Sequence, residues 1–151
     1  DPMRQELFTA SRGGGAQMDG RRIRVSKQTT LEGALVATGF PQRDNSRWLD
    51  DYMAMLKAMM LTTAGVRRPG AASLDLAYVA AGRVDGFWEI GLSAWDTAAG
   101  TLLITEAGGR IGTLTGQPYV QGGHVVAGTP KVFDELVACI GPFVPANLRD
   151  V

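Results

Sequence analysis

Two acids, Glu89 and Asp96, stand seven residues apart in the run EIGLSAWDTAAGTLLITEAGG, residues 89–109. Glu89 falls at the end of the strand-like segment DGFWEI. Asp96 falls where a helix should begin, and that helix runs to Ala107 before Gly108-Gly109 stops it. Two readings of Asp96 stand side by side. As an N-cap, its carboxylate accepts the unpaired amides of the first turn and suits the positive end of the helix dipole. As a ligand, it projects from a helix start at the end of a strand and holds a divalent cation such as Mg²⁺, which wants carboxylate, water and phosphate oxygens. Trp95 reads as an anchor for the approach of the chain, and Ala98, Ala99 and Gly100 leave room for close packing or a ligand. Glu89 on its own reads as a solvated strand end. With Asp96 on the same sheet edge it joins a candidate site, because α/β sheets bind ligands outside the carboxyl ends of their strands.

A third segment, Gly70-Ala71-Ala72, opens a helix over Ala71–Ala81 that stops at Gly82. Free backbone N–H groups at such a start favour oxygen-rich ligands, although close helix packing explains the small residues equally. Asp75 inside this helix reads as structural or solvent-facing, and Asp85 as a turn residue. His124 begins a strand without metal-ligand spacing. The chain's one His and one Cys, Cys139, have no motif around them, so a Ser-His-Asp or Cys-His site has no support. Gly13-Gly14-Gly15 raises phosphate cradling, but no helix pattern follows, and a hairpin turn fits better. Arg21, Arg22 and Arg24 read as a solvated strand face.

These residues need a scaffold. The first segment, QELFTASRGGGAQMDGRRIRVS, reads as short strands joined by Gly13–Gly15 and Asp19-Gly20 turns. A strand is expected over Leu31–Pro41. A helix follows from an N-cap at Ser46 to a stop at Gly65, with Leu49, Met53, Leu56 and Met60 as its core face or a subunit interface. Strand segments RIGTL and HVVAG, a turn at Thr115–Pro118, and a last helix capped by Thr129-Pro130 complete the alternation. The tail PFVPANLRDV reads as irregular. Alternating strands and helices imply a layered α/β domain with a mostly buried sheet.

The chain has 151 residues, 45% hydrophobic and 20% charged, which supports one domain with a sizeable core. Fifteen basic residues balance fifteen acidic ones, so charge gives no sign of direct nucleic-acid binding. The lone Cys139 excludes a disulfide framework and fits a cytoplasmic, reducing setting. No segment reaches the roughly 18 apolar residues of a membrane span. The opening Asp1-Pro2-Met3-Arg4 leads into strand-like sequence without a leader, and the expectation is a fragment of a longer structure.

WDTAAGTLLITEAGG strongly resembles the C-terminal signature of the inositol monophosphatase family of Mg²⁺-dependent, lithium-sensitive phosphatases. DPMRQELFTASRGGGA, GALVATGFP and GAASLDLAYVAAGRVDGFWEIG resemble its bacterial members, in the same order. The resemblance implies a sugar-phosphatase-type fold: a C-terminal α/β domain over 29–151, with helices on a mixed sheet, preceded over 1–28 by a β-hairpin remnant of the N-terminal domain. It implies that Asp96 ligates catalytic Mg²⁺ and helps hold the attacking water. Glu89 would bond a substrate hydroxyl, Gly70, Ala71 and Ala72 would approach the ring hydroxyls through their backbone, and Thr38–Pro41 would form a further wall of the site. It further implies hydrolysis of inositol 1-phosphate or a related polyol phosphate, a homodimer and, through the bacterial members, a protein partner in the transcription machinery. Fructose bisphosphate, a nucleotide 3′-phosphate and histidinol phosphate are alternative substrates. The family's upstream Glu and its DPxDGT-type motif do not occur in these 151 residues, so the segment alone is expected to be inactive.

Overall fold

The computed structural model describes residues 1–120 and 122–149. It opens with three short antiparallel strands, β1 (Phe8–Ser11), β2 (Gly15–Met18) and β3 (Arg21–Arg22), paired in that order. The turns are the expected ones: Gly13, Gly15 and Gly20 have φ of 74°, 82° and 75°, and Asp19 has φ of 50°. Only glycine adopts that region without strain, and Asn or Asp tolerates it.

The second sheet contains β4 (Leu35–Thr38), β5 (Gly65–Arg67), β6 (Gly86–Leu92), β7 (Arg110–Gly112) and β8 (Gly123–Gly128), in the order β5-β4-β6-β8-β7. β4 runs parallel to both β5 and β6, whereas β8 runs antiparallel to β6 and β7. The sheet is therefore mixed. Among the described residues four helices cover it: α1 (Leu49–Thr62), α2 (Ala72–Ala80), α3 (Ala94–Glu106) and α4 (Pro130–Ile140).

Successive strand residues point to opposite faces, and the core divides accordingly. Val36, Trp88 and Val126 pack with Tyr52 and Met55 of α1 and with Val132 and Leu136 of α4. Their neighbours Ala37, Phe87 and Val125 pack with Leu76 and Ala80 of α2 and Leu103 and Ile104 of α3. Both faces are covered, which is why these strands read as continuous apolar runs rather than alternating ones. Gly100 permits the closest approach of α2 and α3: a β-carbon there would stand 2.6 Å from Leu76 Cβ.

Several expectations are corrected. The first strand of the large sheet spans only Leu35–Thr38, not Leu31–Pro41. Ser46 lies inside a 3-10 segment, Arg43–Trp48, and α1 follows with Trp48 at its N-cap and no side-chain cap. Gly65 does not stop α1; it begins β5. The apolar face of α1 is also rotated. Tyr52, Met55 and Met59 are fully buried, while Leu49, Met53 and Met60 are 45%, 50% and 66% exposed. The helix is apolar nearly all round, so spacing alone could not choose its inner face. The tail is more ordered than irregular: two 3-10 turns, Gly141–Phe143 and Ala146–Leu148, bury Val144 and Leu148. Asp150 and Val151 of that tail lie outside the described residues.

Other expectations hold. Thr129 Oγ1 accepts the Val132 N–H at 3.2 Å, with Pro130 in the first turn of α4. Asp85 sits in a bend and also ties three segments together. Its carboxylate accepts the Ser26 hydroxyl at 2.5 Å and the Leu35 N–H at 2.7 Å, and its backbone oxygen accepts the Thr129 N–H at 3.1 Å.

Candidate active site

Because β5, β4 and β6 are parallel, their carboxyl ends share one edge of the sheet. The chain leaves β5 through Arg68 to Gly70, leaves β4 through Gly39 and Phe40, and leaves β6 toward Asp96. Residues from all three exits line a single cleft of about 660 Å³, including Gly39, Phe40, Arg68, Glu89, Trp95 and Asp96. Gly70, Ala71 and Ala72 line it too. The structure thus brings Glu89, Asp96 and the Gly70–Ala72 segment to one place. Of the expected wall Thr38–Pro41, only Gly39 and Phe40 face the cleft. The Thr38 hydroxyl is buried 3.0 Å from that of Tyr52, and Pro41 is also buried.

The strand-to-helix corner is made by a bulge. Register between β6 and β8 shifts between Glu89 and Leu92, where Gly91 takes φ of 81°, and bulges of this kind re-aim side chains next to functional sites. His124 Nδ1 accepts the Gly91 N–H at 3.0 Å, and the Asn45 amide donates to the Gly91 oxygen at 3.4 Å. His124 is thus a buried brace beneath the corner, 3% exposed, whose protonation burial and Arg47 both disfavour.

Asp96 is not the N-cap of α3. That position belongs to Ser93, and Asp96 is the third residue of the helix; its Oδ2 accepts the Ser93 backbone N–H at 2.9 Å. This is the carboxylate half of a capping box. The bond fixes the orientation of the carboxylate and occupies one oxygen. The other takes no hydrogen bond among the described residues, so the two readings of this acid are compatible. Trp95 is 81% exposed and forms part of the cleft rim rather than an anchor.

At the opposite wall, α2 begins at Ala72 after an N-cap, Ala71, that has no side-chain bond. The Ala71 carbonyl accepts Leu74 and Asp75 N–H groups at 2.9 Å each. The amides of Ala72 and Ser73 have no acceptor among the described residues, which leaves the positive end of the helix open to the cleft. Gly70 turns the chain into this start with φ of 94°.

Glu89 is half-buried, and its carboxyl is pushed up to about 7, first by desolvation, then by the charges of Asp75 and Asp96, with Arg68 opposing. Asp75 takes the structural one of its two expected readings. It is not solvent-facing: it is 1% exposed, and neither carboxylate oxygen has a hydrogen-bond partner among the described residues. Burial pushes it up to about 6, with the nearby Ala71 backbone and Arg68 guanidinium pulling the other way. Arg68 also stacks over the Phe40 ring, 4.9 Å from its centroid. Its neighbourhood with two acids on other segments had no local signal in the sequence.

Among the described residues no three His, Cys, Asp or Glu side chains converge to hold a metal ion. Asp96 fits one ligand position: an oriented carboxylate with an open oxygen, facing a cleft. A complete Mg²⁺ shell needs further oxygens.

The glycine run Gly13–Gly15 has a different task from phosphate binding. Its Gly14 N–H goes to the Ser11 carbonyl at 2.9 Å. Its other two amides are taken by Glu106 at the end of α3, whose Oε1 accepts Gly13 N–H at 2.8 Å and Oε2 accepts Gly15 N–H at 2.9 Å. These bonds hold the Glu106 carboxyl below its ordinary range. Arg21, Arg22 and Arg24 are exposed, as expected.

The sequence model of the inositol monophosphatase family matches residues 1–144. The Nus factor SuhB of Pseudomonas aeruginosa is 57% identical over 151 residues, covering 99% of this chain and 56% of the relative. The chain thus spans a little over half the length of that curated relative. Among solved structures, the extragenic suppressor protein suhB from Bartonella henselae superposes with a TM-score of 0.87 at 42% identity, over 92% of this chain and 53% of that one. The inositol monophosphatase from Anabaena (Nostoc) sp. PCC 7120 superposes with a TM-score of 0.86 at 37% identity, over 97% and 60% respectively. With the mixed sheet, the helices on both its faces and the family match running almost end to end, the chain belongs to the inositol monophosphatase family.

Proposed function

We propose that this segment supplies one wall of the active site of a Mg²⁺-dependent phosphomonoesterase acting on inositol 1-phosphate or a related polyol phosphate. The observation that carries the reading is the meeting, in one cleft, of an oriented Asp96 carboxylate, the Glu89 carboxyl and the open N-terminus of α2. Asp96 is a ligand for Mg²⁺, and the remaining ligands come from the part of the family fold outside this segment. Magnesium, when bound, lowers the pKa of a water, neutralises phosphate charge and stabilises the leaving alkoxide. Asp96 orients the ion and the attacking water. Glu89, with its carboxyl near neutrality, exchanges a hydrogen bond with a ring hydroxyl. The Ala72 and Ser73 amides bind a further substrate oxygen, with Gly70 and Ala71 shaping the approach.

On this reading residues 1–28 end a preceding domain and 29–151 form the C-terminal α/β domain. The exposed face of α1, with Leu49, Met53 and Met60, is the surface that a homodimer would cover. A cytoplasmic location fits the single, half-buried Cys139, and among the described residues no helix is long and apolar enough to cross a membrane.

A second reading has one specific support, the name Nus factor carried by the Pseudomonas relative. In it the same fold binds a protein of the transcription machinery. The balanced charge disfavours direct contact with nucleic acid.

The test uses a polypeptide of full family length that contains this segment. With millimolar Mg²⁺ it should hydrolyse inositol 1-phosphate, and Asp96→Asn should remove most turnover while preserving the fold, since Asn still accepts the Ser93 amide. Retention of more than about a tenth of kcat, or about 1.4 kcal/mol of activation energy, would make Asp96 only a helix-capping residue. Capture of transcription proteins by a catalytically silent parent would favour the second reading.

A further inference from the structure

We infer that Gly39 is a specificity-determining position: its missing side chain leaves the space in which the Glu89 carboxyl rests. A β-carbon on Gly39 would stand 2.1 Å from Glu89 Cδ, 2.1 Å from Oε1 and 2.3 Å from Oε2. These are its three nearest atoms outside its chain neighbours, and no real contact is that short. Register explains the encounter. Thr38 of β4 pairs with Trp88 of β6 in parallel, so Gly39, the first residue past β4, lies beside Glu89, which continues in β6 opposite Val125 at the cleft.

The demand on Gly39 is spatial, not conformational, because it is absent from the residues with positive φ. Any residue could adopt its backbone; only glycine leaves the volume. What an added methyl meets is the mobile end of a side chain, so the carboxyl yields and the sheet does not. Glu89 lines the cleft and Gly39 is buried beside it, so the displaced carboxyl moves toward the cleft. A carboxyl displaced in this way loses its alignment with a hydroxyl and takes up substrate volume.

This rests on the role proposed above for Glu89, and the experiment separates the two. In the full-length enzyme with Mg²⁺, kcat/KM is measured for inositol 1-phosphate and for ethyl phosphate, which lacks hydroxyls. Glu89→Gln should lower the ratio of the two by at least about tenfold, since a site built to bond a hydroxyl discriminates through it. Gly39→Ala should lower it similarly, and the double variant should fall no further than the stronger single change. Gly141→Ala, where an added β-carbon meets nothing within 4 Å, is the control and should change neither substrate.

If Glu89→Gln lowers the ratio and Gly39→Ala does not, or if the two effects multiply, the inference is overturned and the role of Glu89 survives. If Glu89→Gln leaves the ratio unchanged, or no variant or parent turns over either phosphate, the reading of the site fails and the inference with it. Should Gly39→Ala not fold, Gly39→Ala/Glu89→Ala must fold, since it removes the colliding carboxyl. Failure of that pair would show that something other than Glu89 requires the glycine.

Discussion

Asp75→Asn should make the protein more stable at neutral pH. The carboxyl is 1% exposed, has no hydrogen-bond partner among the described residues, and is pushed from 3.8 up to about 6. A folded-state pKa above the unfolded value means that the folded protein holds the proton more tightly. Stability is therefore fully present below about 4, falls as pH rises toward 6, and stays reduced above it. A shift of about two units, at about 1.36 kcal/mol each, corresponds to a penalty on the order of 3 kcal/mol at pH 8. Asn has nearly the same size and never ionises, so it escapes the penalty while keeping two polar atoms in the same place. Urea unfolding of both proteins from pH 4 to pH 8 gives the measurement. The difference should be close to zero at pH 4 and grow to about 1–3 kcal/mol in favour of Asn by pH 8. Burial first, and then the charges of Asp75 and Asp96, push Glu89 up to about 7 against the pull of Arg68, so a shallower slope persists in the variant. A parent that is the more stable protein at pH 8 would refute the reasoning, because the carboxylate would then have a partner that stabilises its charge.

The other predictions concern packing, docking and chemistry. Gly100→Ala should cost about 1–3 kcal/mol of stability by forcing a methyl against Leu76; an unchanged urea midpoint would mean that α2 and α3 separate freely. Glu106→Ala should abolish the exchange protection of the Gly13 and Gly15 amides while leaving the core of the large sheet protected. In the parent, that protection should hold through the ordinary carboxylate range and fade only at lower pH, because the folded-state pKa is depressed. Persistent protection in the variant would remove Glu106 as the anchor of the hairpin. The 151-residue segment alone should show no useful turnover of inositol 1-phosphate in millimolar Mg²⁺, since one carboxylate is a poor home for an ion that dehydrates reluctantly; a rate of order 1 s⁻¹ would contradict this.

Much of the scaffold was legible because the chain punctuates it clearly. GFWEI followed by Ser93-Ala94-Trp95-Asp96 is an apolar strand and then a capping-box spacing, and this alone places two acids at a sheet edge. The spacing also says that Ser93, not Asp96, caps the helix, a signal passed over when Asp96 is read in isolation. Thr129-Pro130 marks the start of α4 equally plainly. α1 was less legible, because a helix apolar on nearly every side carries no period from which to choose its buried face.

The residues around the acids were illegible for a different reason. Gly39 looks like the end of a strand before Pro41, and nothing local records that a carboxyl fifty positions later needs its empty volume. Asp75 looks like an ordinary first-turn acid of a helix, favoured by the dipole, until the fold buries it and takes its solvent away. Arg68 owes its influence on both acids to the exit of β5 next to β4. Each of these roles is a property of neighbours supplied by parallel pairing, and a pairing leaves no mark on the residues it brings together. The alternation of strands and helices predicted that such an edge exists. Which side chains it crowds follows only from the order β5-β4-β6, so the specificity of the site resides in the packing of β4 against β6 as much as in the acids themselves.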